Sequence, residues 1–165
     1  MKIIEPTITF IPGKKFVGIN TTMSLSRNTT ADLWKNFMPH LKEIKHISGI
    51  EFYSIEQYSQ TYFHSFQPDA DFEKWAAVEV EYFEDVPENM KTLITQGGIF
   101  AVFNYRGLAR NGAKFYDMIF NHWLPNSVYE LDDRPHFAVM GEKYKNNDPD
   151  SEEEIWIPVK NAEYY

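Results

Sequence analysis

Alternation of apolar and polar positions divides much of the chain into short strands. The segments TITFIPGKKFVGINTT (7–22) and KTLITQGGIFAVFNYRG (91–107) each contain two such runs on either side of a glycine-containing pair. This pattern predicts two strands joined by a turn, at Pro12-Gly13 in the first segment and at Gly97-Gly98 in the second. We therefore expect a hairpin near the start of each half of the chain.

Two longer stretches carry apolar residues at helical spacing. The first predicts a helix over 30–47 with a kink at Pro39, because proline lacks the amide hydrogen that a helix interior needs. The second predicts a helix over 111–124, which ends before Pro125. The apolar positions on the two buried sides are Leu33, Phe37, Leu41, Ile44, Phe115, Met118, Ile119 and Trp123.

The same order of elements occurs twice. Each helix is followed by two strand-like segments, EFYSIEQYS and WAAVEVEYF in the first half, HFAVMGEKY and EEIWIPVK in the second. The halves, about 1–88 and 91–160, therefore predict two ββαββ repeats within a single domain over 1–165. Any two segments of this type share such an order, so unrelated halves remain the alternative.

Pairing of the repeats predicts the fold class. Neither half buries its hydrophobic face well alone, and two halves side by side form one sheet. We expect an α+β fold with duplicated units, one curved antiparallel sheet and two main helices on one face. In the alignment of the halves, Phe16 corresponds to Phe100 and Glu79 to Glu154. A seam between related halves is a common place for a ligand.

Composition and charge restrict the classes of function. The 165 residues carry a formal net charge of -8, which opposes binding to nucleic acid phosphates and permits cationic small molecules. There is no cysteine, the 5 histidines lack paired metal-binding spacing, and no apolar run reaches the roughly 18 residues of a membrane helix. We expect a cytoplasmic protein with no metal, no cofactor and no nucleic acid or membrane partner. The 16% aromatic content suits a core, and also a pocket for flat ligands.

Four blocks of the sequence resemble a known family. WAAVEVEYF, GGIFAVFNYRG, WLPNSVYELDDRPHF and SEEEIWIPVK, in that order, are similar to the GyrI-like small-molecule-binding family, also called the AraC-type effector-binding domain. The resemblance covers essentially the whole chain. It implies a duplicated sheet with two helices, an aromatic pocket between the halves, and lipophilic, often cationic, aromatic ligands. Two repeats use the whole length, so we expect no helix-turn-helix segment and no DNA binding.

The resemblance also implies a carboxylate at the start of the last strand that meets the ligand's charge, by position Glu154. Strand alternation places Ile155 and Ile157 toward the helices, and Glu154 and Trp156 toward the opposite, predicted pocket face. A carboxylate beside an indole is a receptor for a cation, with cation–π attraction of roughly 0.5–2 kcal/mol. The alternative interpretation of Glu154 is a solvated end of a strand.

The remaining candidates come from the repeat and from the aromatic positions. Glu79 is predicted to enter the same cleft from the far side, with an exposed sheet face as the alternative. The candidate aromatic walls are Trp123, Tyr105, Tyr129 and Trp75, each of which also suits the core or the rim. Glu152 and Glu153 are interpreted as a solvated run of charges before the strand.

Three functions remain open. The first is a free-standing module that binds lipophilic or cationic aromatic compounds, as a sensor or by sequestering them. The second is a hydrolase of strained, cyclopropane-bearing toxic compounds in which Glu154 activates water as a general base. The third is a protein partner similar to gyrase inhibitors. We favour the first, so the expectation is a binding protein rather than an enzyme.

Overall fold

The computed structural model describes residues 2–163 and has the predicted α+β fold with one large antiparallel sheet. The strands are β1 (Thr7–Ile11), β2 (Lys14–Met23), β3 (Phe52–Gln57), β4 (Phe72–Val80), β5 (Lys91–Thr95), β6 (Gly98–Arg106), β7 (Tyr129–Leu131), β8 (His136–Met140) and β9 (Glu152–Asn161). The two α-helices are α1 (Thr30–Phe37) and α2 (Gly112–Asp117). The predicted domain limits include positions 1, 164 and 165, which lie outside the described residues.

The strand order is β1-β6-β9-β8-β3-β4-β2-β5, and β7 pairs with the end of β9. Consecutive strands β1 and β2 are not neighbours, and neither are β5 and β6. The predicted hairpins at Pro12-Gly13 and Gly97-Gly98 are therefore wrong. Instead, β1 pairs with β6 and β5 pairs with β2, so each half supplies an edge strand to the other half.

Two glycines explain why these connections cross instead of turning back. A Cβ atom on Gly13 would lie 2.6 Å from the carbonyl oxygen of Thr95, and one on Gly97 would lie 2.8 Å from the amide nitrogen of Gly13. Both glycines therefore allow two backbone segments to pass in direct contact. Alternation predicts that a segment is a strand, but it does not specify the partner.

The exchange also rolls the sheet. β1 lies at one edge of the sheet and β2 lies beside the other edge, yet only Pro12 and Gly13 separate these strands. Three Cα–Cα steps span at most roughly 11 Å, so the two edges must approach each other. The enclosed face, called the inner face below, is buried without any helix. It carries Phe16, Tyr53, Ile55, Trp75, Ala77, Phe100, Phe137, Val139 and Trp156.

The helices cover the opposite face, called the outer face. α1 buries Leu33 and Phe37 against the first half, then ends, and a 3-10 turn (Met38–Glu43) contains Pro39. The predicted interruption at Pro39 is confirmed. α2 is shorter than the predicted 111–124, because the chain continues as a π-helical turn over Met118–Trp123 and a 3-10 turn over Leu124–Asn126. The wide π turn brings Met118 and Trp123, five positions apart, onto the same buried side.

The pairing register corrects the alignment of the two halves. Phe16 is opposite Glu79, and Phe100 is opposite Pro158. If Phe16 corresponds to Phe100, then Glu79 corresponds to Pro158, and its predicted correspondence with Glu154 is wrong. The alignment matched two short Glu-Val and Glu-Ile motifs, but ladder hydrogen bonds set the actual register. Superposition of the halves as duplicated units stays a prediction.

Candidate functional site

The predicted cation receptor lies on the inner face. Trp156 is buried there in edge-to-face contact with Tyr53, at a ring distance of 5.9 Å. Its indole nitrogen donates a hydrogen bond to Oε1 of Glu154 at 3.2 Å. Glu154 itself is exposed. The sequence therefore placed Glu154 and Trp156 correctly on one face, but the carboxylate lies at the surface and not in an aromatic-lined cleft.

Lys14 occupies the position that an external cation would take beside Glu79 and Trp156. Its ammonium donates to both carboxylate oxygens of Glu79, at 3.2 and 3.3 Å, and lies 6.0 Å from the centre of the Trp156 ring. The hydroxyl of Tyr53 also donates to Glu79, at 3.5 Å. The Glu79 carboxylate and the Trp156 ring thus already have a cationic partner within the chain, which leaves little attraction for a cationic ligand.

The other three predicted residues lie on the outer face. Tyr105 packs on Phe115 at a ring distance of 5.0 Å, and Trp123 packs on Phe103 at 5.2 Å. Trp123 and Tyr129 also line a separate cavity of about 250 Å³ beside the N-terminal segment. Trp75, the fourth predicted aromatic wall, is buried on the inner face, so the structure divides the predicted ligand contacts between two faces of the sheet. Their role in binding stays a prediction.

The neighbouring carboxylate, Glu153, lies on the outer face. It is directly opposite Tyr105 in the β6–β9 ladder, so its side chain shares the outer face with Tyr105. It is half-buried, and its side chain forms no hydrogen bond or ion pair with any residue in 2–163. Burial raises the pKa of Glu153; the charge of Lys74 lowers it and that of Glu56 raises it. An unpaired carboxylate in a poorly solvated position favours a cationic partner.

A signal for Glu153 was present in the sequence. Alternation that turns Ile155 and Ile157 toward the helices also turns Glu153 that way. The interpretation of Glu153 as part of a solvated charge run assumes that the strand begins after Glu153. In the structure β9 begins at Glu152, so Glu153 is a strand residue and that interpretation is wrong.

Tyr105 lies directly opposite Glu153, and the charge of Glu153 also acts on Tyr144 and Tyr116. Burial raises the pKa of Tyr105 and of Tyr144, and the negative charge of Glu153 raises both further. Burial, followed by the charges of Glu56 and Glu153, raises the pKa of Tyr116. All three phenols stay neutral at physiological pH. The ring of Tyr105 lies beside the Glu153 carboxylate, and an aromatic ring beside a carboxylate suits an aromatic cation.

A buried ion pair lies elsewhere on the outer face. Nζ of Lys74 lies 2.8 Å from Oε1 of Glu56, and the hydroxyl of Tyr58 donates to Oε2 of Glu56 at 2.8 Å. Burial alone would raise the pKa of Glu56, but the adjacent Lys74 ammonium lowers it below its ordinary value. His136 is buried beside the pair, and loss of hydration lowers its pKa to about 4. The pair is ionised at neutral pH and His136 is uncharged.

Aromatic residues of the β3–β4 connection cover the ion pair. Phe63 stacks on Phe120 of the π turn at 5.1 Å and on His136 at 5.6 Å. Tyr58 contacts His136 edge to face at 4.9 Å. This cover joins the two halves, because Phe63 belongs to the first half and its partners belong to the second.

An acidic cavity opens beside Glu153. It has a volume of about 290 Å³. Its lining residues are Glu51, Asn104, Val139, Gly141, Glu142, Lys143, Glu152, Glu153 and Glu154. Five carboxylates against one ammonium attract cations from solution and repel anions. Glu153 is shared between this mouth and the tyrosines behind it.

Within residues 2–163, no group of three or more histidine or acidic side chains has the geometry of a metal site. No helix in the same range is long and apolar enough to cross a membrane. We call the region of Glu153, Tyr105, Tyr116, Tyr144 and the Glu56–Lys74 pair the outer-face site. It carries charged groups, aromatic rings and phenol hydroxyls.

Comparison with known proteins gives a family match. The chain matches the GyrI-like small molecule binding domain over residues 4–160. It is 26% identical over 151 residues to the transcriptional regulator BrlR of Pseudomonas aeruginosa, covering 90% of this chain and 53% of BrlR. The chain thus spans about half the length of this curated relative.

Several solved structures share the fold. SAV2435, solved bound to tetraphenylphosphonium, has a TM-score of 0.71 at 14% identity, over 95% of this chain and 94% of its own. The C-terminal domain of EcmrR has a TM-score of 0.67 at 14% identity, over 98% and 100%. A hydrolase encoded by lin2189 from Listeria innocua has a TM-score of 0.59 at 12% identity, over 94% and 92%. At these identities the likeness concerns the fold alone.

Fold and family together define an α+β domain that binds small molecules. The chain belongs to the family of the GyrI-like small molecule binding domain, which the match over residues 4–160 establishes. The resemblance found in the sequence is confirmed.

Proposed function

We propose that the protein binds lipophilic aromatic cations at the outer-face site, with Glu153 as the carboxylate that receives the ligand's charge. The observation that carries the proposal is the half-buried Glu153, which has no ion-pair partner in residues 2–163 and lies directly opposite Tyr105 at the mouth of an acidic cavity. The protein acts as a sensor or a sequestering module for such compounds.

The raised pKa of Glu153 supports a cation as the partner. A carboxylate that is poorly hydrated and unpaired is unfavourable in the free protein, and a cation at contact distance relieves that cost. A neutral ligand gains nothing from the charge, and an anion is repelled. SAV2435, which shares the fold, was solved with the lipophilic cation tetraphenylphosphonium.

Adjacent glutamates on opposite faces provide a matched test. We expect Glu153→Gln to weaken tetraphenylphosphonium binding by about 10- to 100-fold, because a charge-assisted contact is worth about 1–3 kcal/mol. Glu154→Gln is the comparison within the same cavity: Glu154 is exposed and its side chain is on the inner-face side, so we expect a smaller change, less than threefold. Titration of tryptophan fluorescence measures both.

The control ligand is a neutral triaryl compound of similar shape, whose affinity Glu153→Gln should leave nearly unchanged. Equal effects of the two substitutions on the cation, or a larger effect of Glu154→Gln, would reject Glu153 as the receptor. Failure of the unmodified protein to bind tetraphenylphosphonium or any related cation would reject the proposed function.

A hydrolase is the second candidate, and the same residue favours it. Burial raises the pKa of Glu153, and a more basic carboxylate is a better general base. In that case Glu153→Gln should leave the binding of a strained electrophile nearly intact and reduce its hydrolysis by about 10²–10⁴-fold. Loss of binding without any measurable turnover in the unmodified protein would favour the binding module.

A further inference from the structure

We propose that two copies of this chain pair through β1, antiparallel and about a two-fold axis at Thr9, to form a weak dimer with one continuous sheet. The inference goes beyond the proposed function and does not depend on it. Its basis is the free edge of β1, together with a residue pattern that is complementary to itself when it is reversed.

β1 is an edge strand without the features that usually prevent pairing. It is bonded to β6 on one side, and among residues 2–163 no strand pairs with its other side. The strand, TITFI, has no charged side chain and consists of β-branched and aromatic residues that favour extended structure. β5, at the other edge, begins with Lys91, and lysine opposes edge-to-edge pairing. An open and uncharged edge is a template for a further strand.

β1 also exposes apolar side chains on one face of the sheet. Thr9 is opposite Phe100 of the inner face, so Ile8 and Phe10 project to the outer face, where Phe10 is opposite Ile99. Phe10 is 67% exposed, Ile8 is 37% exposed, and Ile99 is exposed as well. These three side chains form an apolar strip along the edge. Burial of the strip against a partner favours association.

The occupant that we infer is a second copy, because the strand is complementary to itself. An antiparallel pairing centred on Thr9 places Ile8 of each copy opposite Phe10 of the other. A β-branched residue opposite an aromatic residue stabilises a sheet, and so does the pair that Thr9 forms with Thr9 of the other copy. Two identical sets of contacts are what an interface with two-fold symmetry requires.

The charges that flank β1 agree with this orientation. Glu5 comes before the strand and Lys15 comes after it, and both are exposed. Antiparallel pairing brings the Glu5 end of one copy to the Lys15 end of the other, so opposite charges approach each other at both ends of the interface. A parallel pairing would bring like charges together instead.

We expect the dimer to be weak and to respond to salt. A strand of 5 residues with one apolar strip belongs to the small class of interfaces, for which we expect a Kd of about 1–100 µM. The formal charge of -8 on each copy opposes association, and salt screens that repulsion. Higher salt should therefore strengthen the dimer, whereas it would weaken the binding of a basic protein to the same acidic chain.

Substitutions in β1 test both the contact and its register. In sedimentation equilibrium of the full chain, Ile8→Lys should weaken the dimer by at least about tenfold, because a charge would lie in the apolar strip opposite Phe10. Addition of Phe10→Glu to Ile8→Lys should restore the dimer, because the new lysine of each copy then lies opposite the new glutamate of the other. Ile94→Lys, at an exposed position of β5, is the control and should leave the dimer unchanged.

Circular dichroism shows whether each variant is folded, which we expect because Ile8 and Phe10 are exposed. If Ile8→Lys does not fold, Phe10→Lys tests the same contact. An unmodified protein that stays monomeric up to about 500 µM overturns the inference, because even the weakest expected dimer would then be populated. A dimer that Ile94→Lys disrupts as strongly as Ile8→Lys overturns it as well. Failure of the double variant to regain the dimer, or a dimer that salt weakens, contradicts the uncharged antiparallel pairing.

Discussion

Protonation of His136 should destabilise the protein in a defined range of pH. His136 is 5% exposed, and its imidazole makes no hydrogen bond within the described residues. Burial lowers its pKa from 6.5 to about 4, with Glu56 raising it and Arg134 lowering it by smaller amounts. The unfolded chain therefore binds a proton at a pH where the folded protein does not, and stability falls as the pH falls from about 6.5 to about 4.

The size of this effect follows from the shift. Each unit of pKa corresponds to about 1.4 kcal/mol, so the complete loss is about 3 kcal/mol, with about 2 kcal/mol reached by pH 5. Well above pH 6.5 the loss of stability from His136 protonation is absent, and below about pH 4 this loss no longer grows. The interval from pH 7 to pH 5 lies above the ordinary pKa range of carboxylates. The effect of protonating His136 is therefore separated from that of protonating ordinary carboxylates.

The substitution His136→Phe tests this reasoning. Phenylalanine keeps a ring against Phe63 and Tyr58 but does not bind a proton. Urea unfolding at pH 7, 6 and 5 should show the unmodified protein losing about 2 kcal/mol more than the variant. His64→Phe, at an exposed position, is the control and should follow the unmodified protein. Parallel loss of stability in the unmodified protein and His136→Phe would refute the account of a buried neutral imidazole.

Two further predictions concern stability. Gly18→Ala should lower the free energy of unfolding by about 1–3 kcal/mol or more, because its Cβ would lie 2.1 Å from the carbonyl oxygen of Ala76. Gly112→Ala, in a helix and with a nearest contact of 3.9 Å, should be neutral or stabilising in thermal unfolding. Lys74→Met should cost about 3–5 kcal/mol by leaving Glu56 buried and unpaired, and addition of Glu56→Gln should recover part of that loss in urea unfolding. Equal stability of the two glycine variants, or no recovery in the double variant, would contradict these assignments.

Local patterns in the sequence predicted the elements and their buried sides well. Helical spacing identified Leu33 and Phe37, and alternation in the last strand separated Ile155 and Ile157 from Trp156. These predictions succeed because side-chain direction follows directly from backbone geometry. Pro39 likewise acts through a local property, its missing amide hydrogen.

Partners between distant strands were not predictable in the same way. The Pro-Gly and Gly-Gly pairs suit tight turns, yet here they allow two connections to cross. The crossing brings into contact residues that are more than 80 positions apart in the sequence. The exchange of β1 and β5 depends on that contact. The rolled sheet, and with it the burial of Trp156 on the inner face, follows from the exchange.

The environment of the predicted carboxylate was not predictable for a related reason. The prediction of Glu154 came from the family resemblance. The environment of its side chain depends on which face of the sheet is open to a ligand. Lys14 comes from β2, and its pairing with Glu79 supplies an internal cation on the inner face. That pairing does not follow from sequence spacing.

The most direct test of the central claim is a crystal structure of the protein with tetraphenylphosphonium bound. We predict the phosphonium centre on the outer face, between Glu153 and the rings of Tyr105 and Tyr116, with the Lys14–Glu79 pair undisturbed. A ligand on the inner face beside Glu154 and Trp156, with Lys14 displaced from Glu79, would contradict the account.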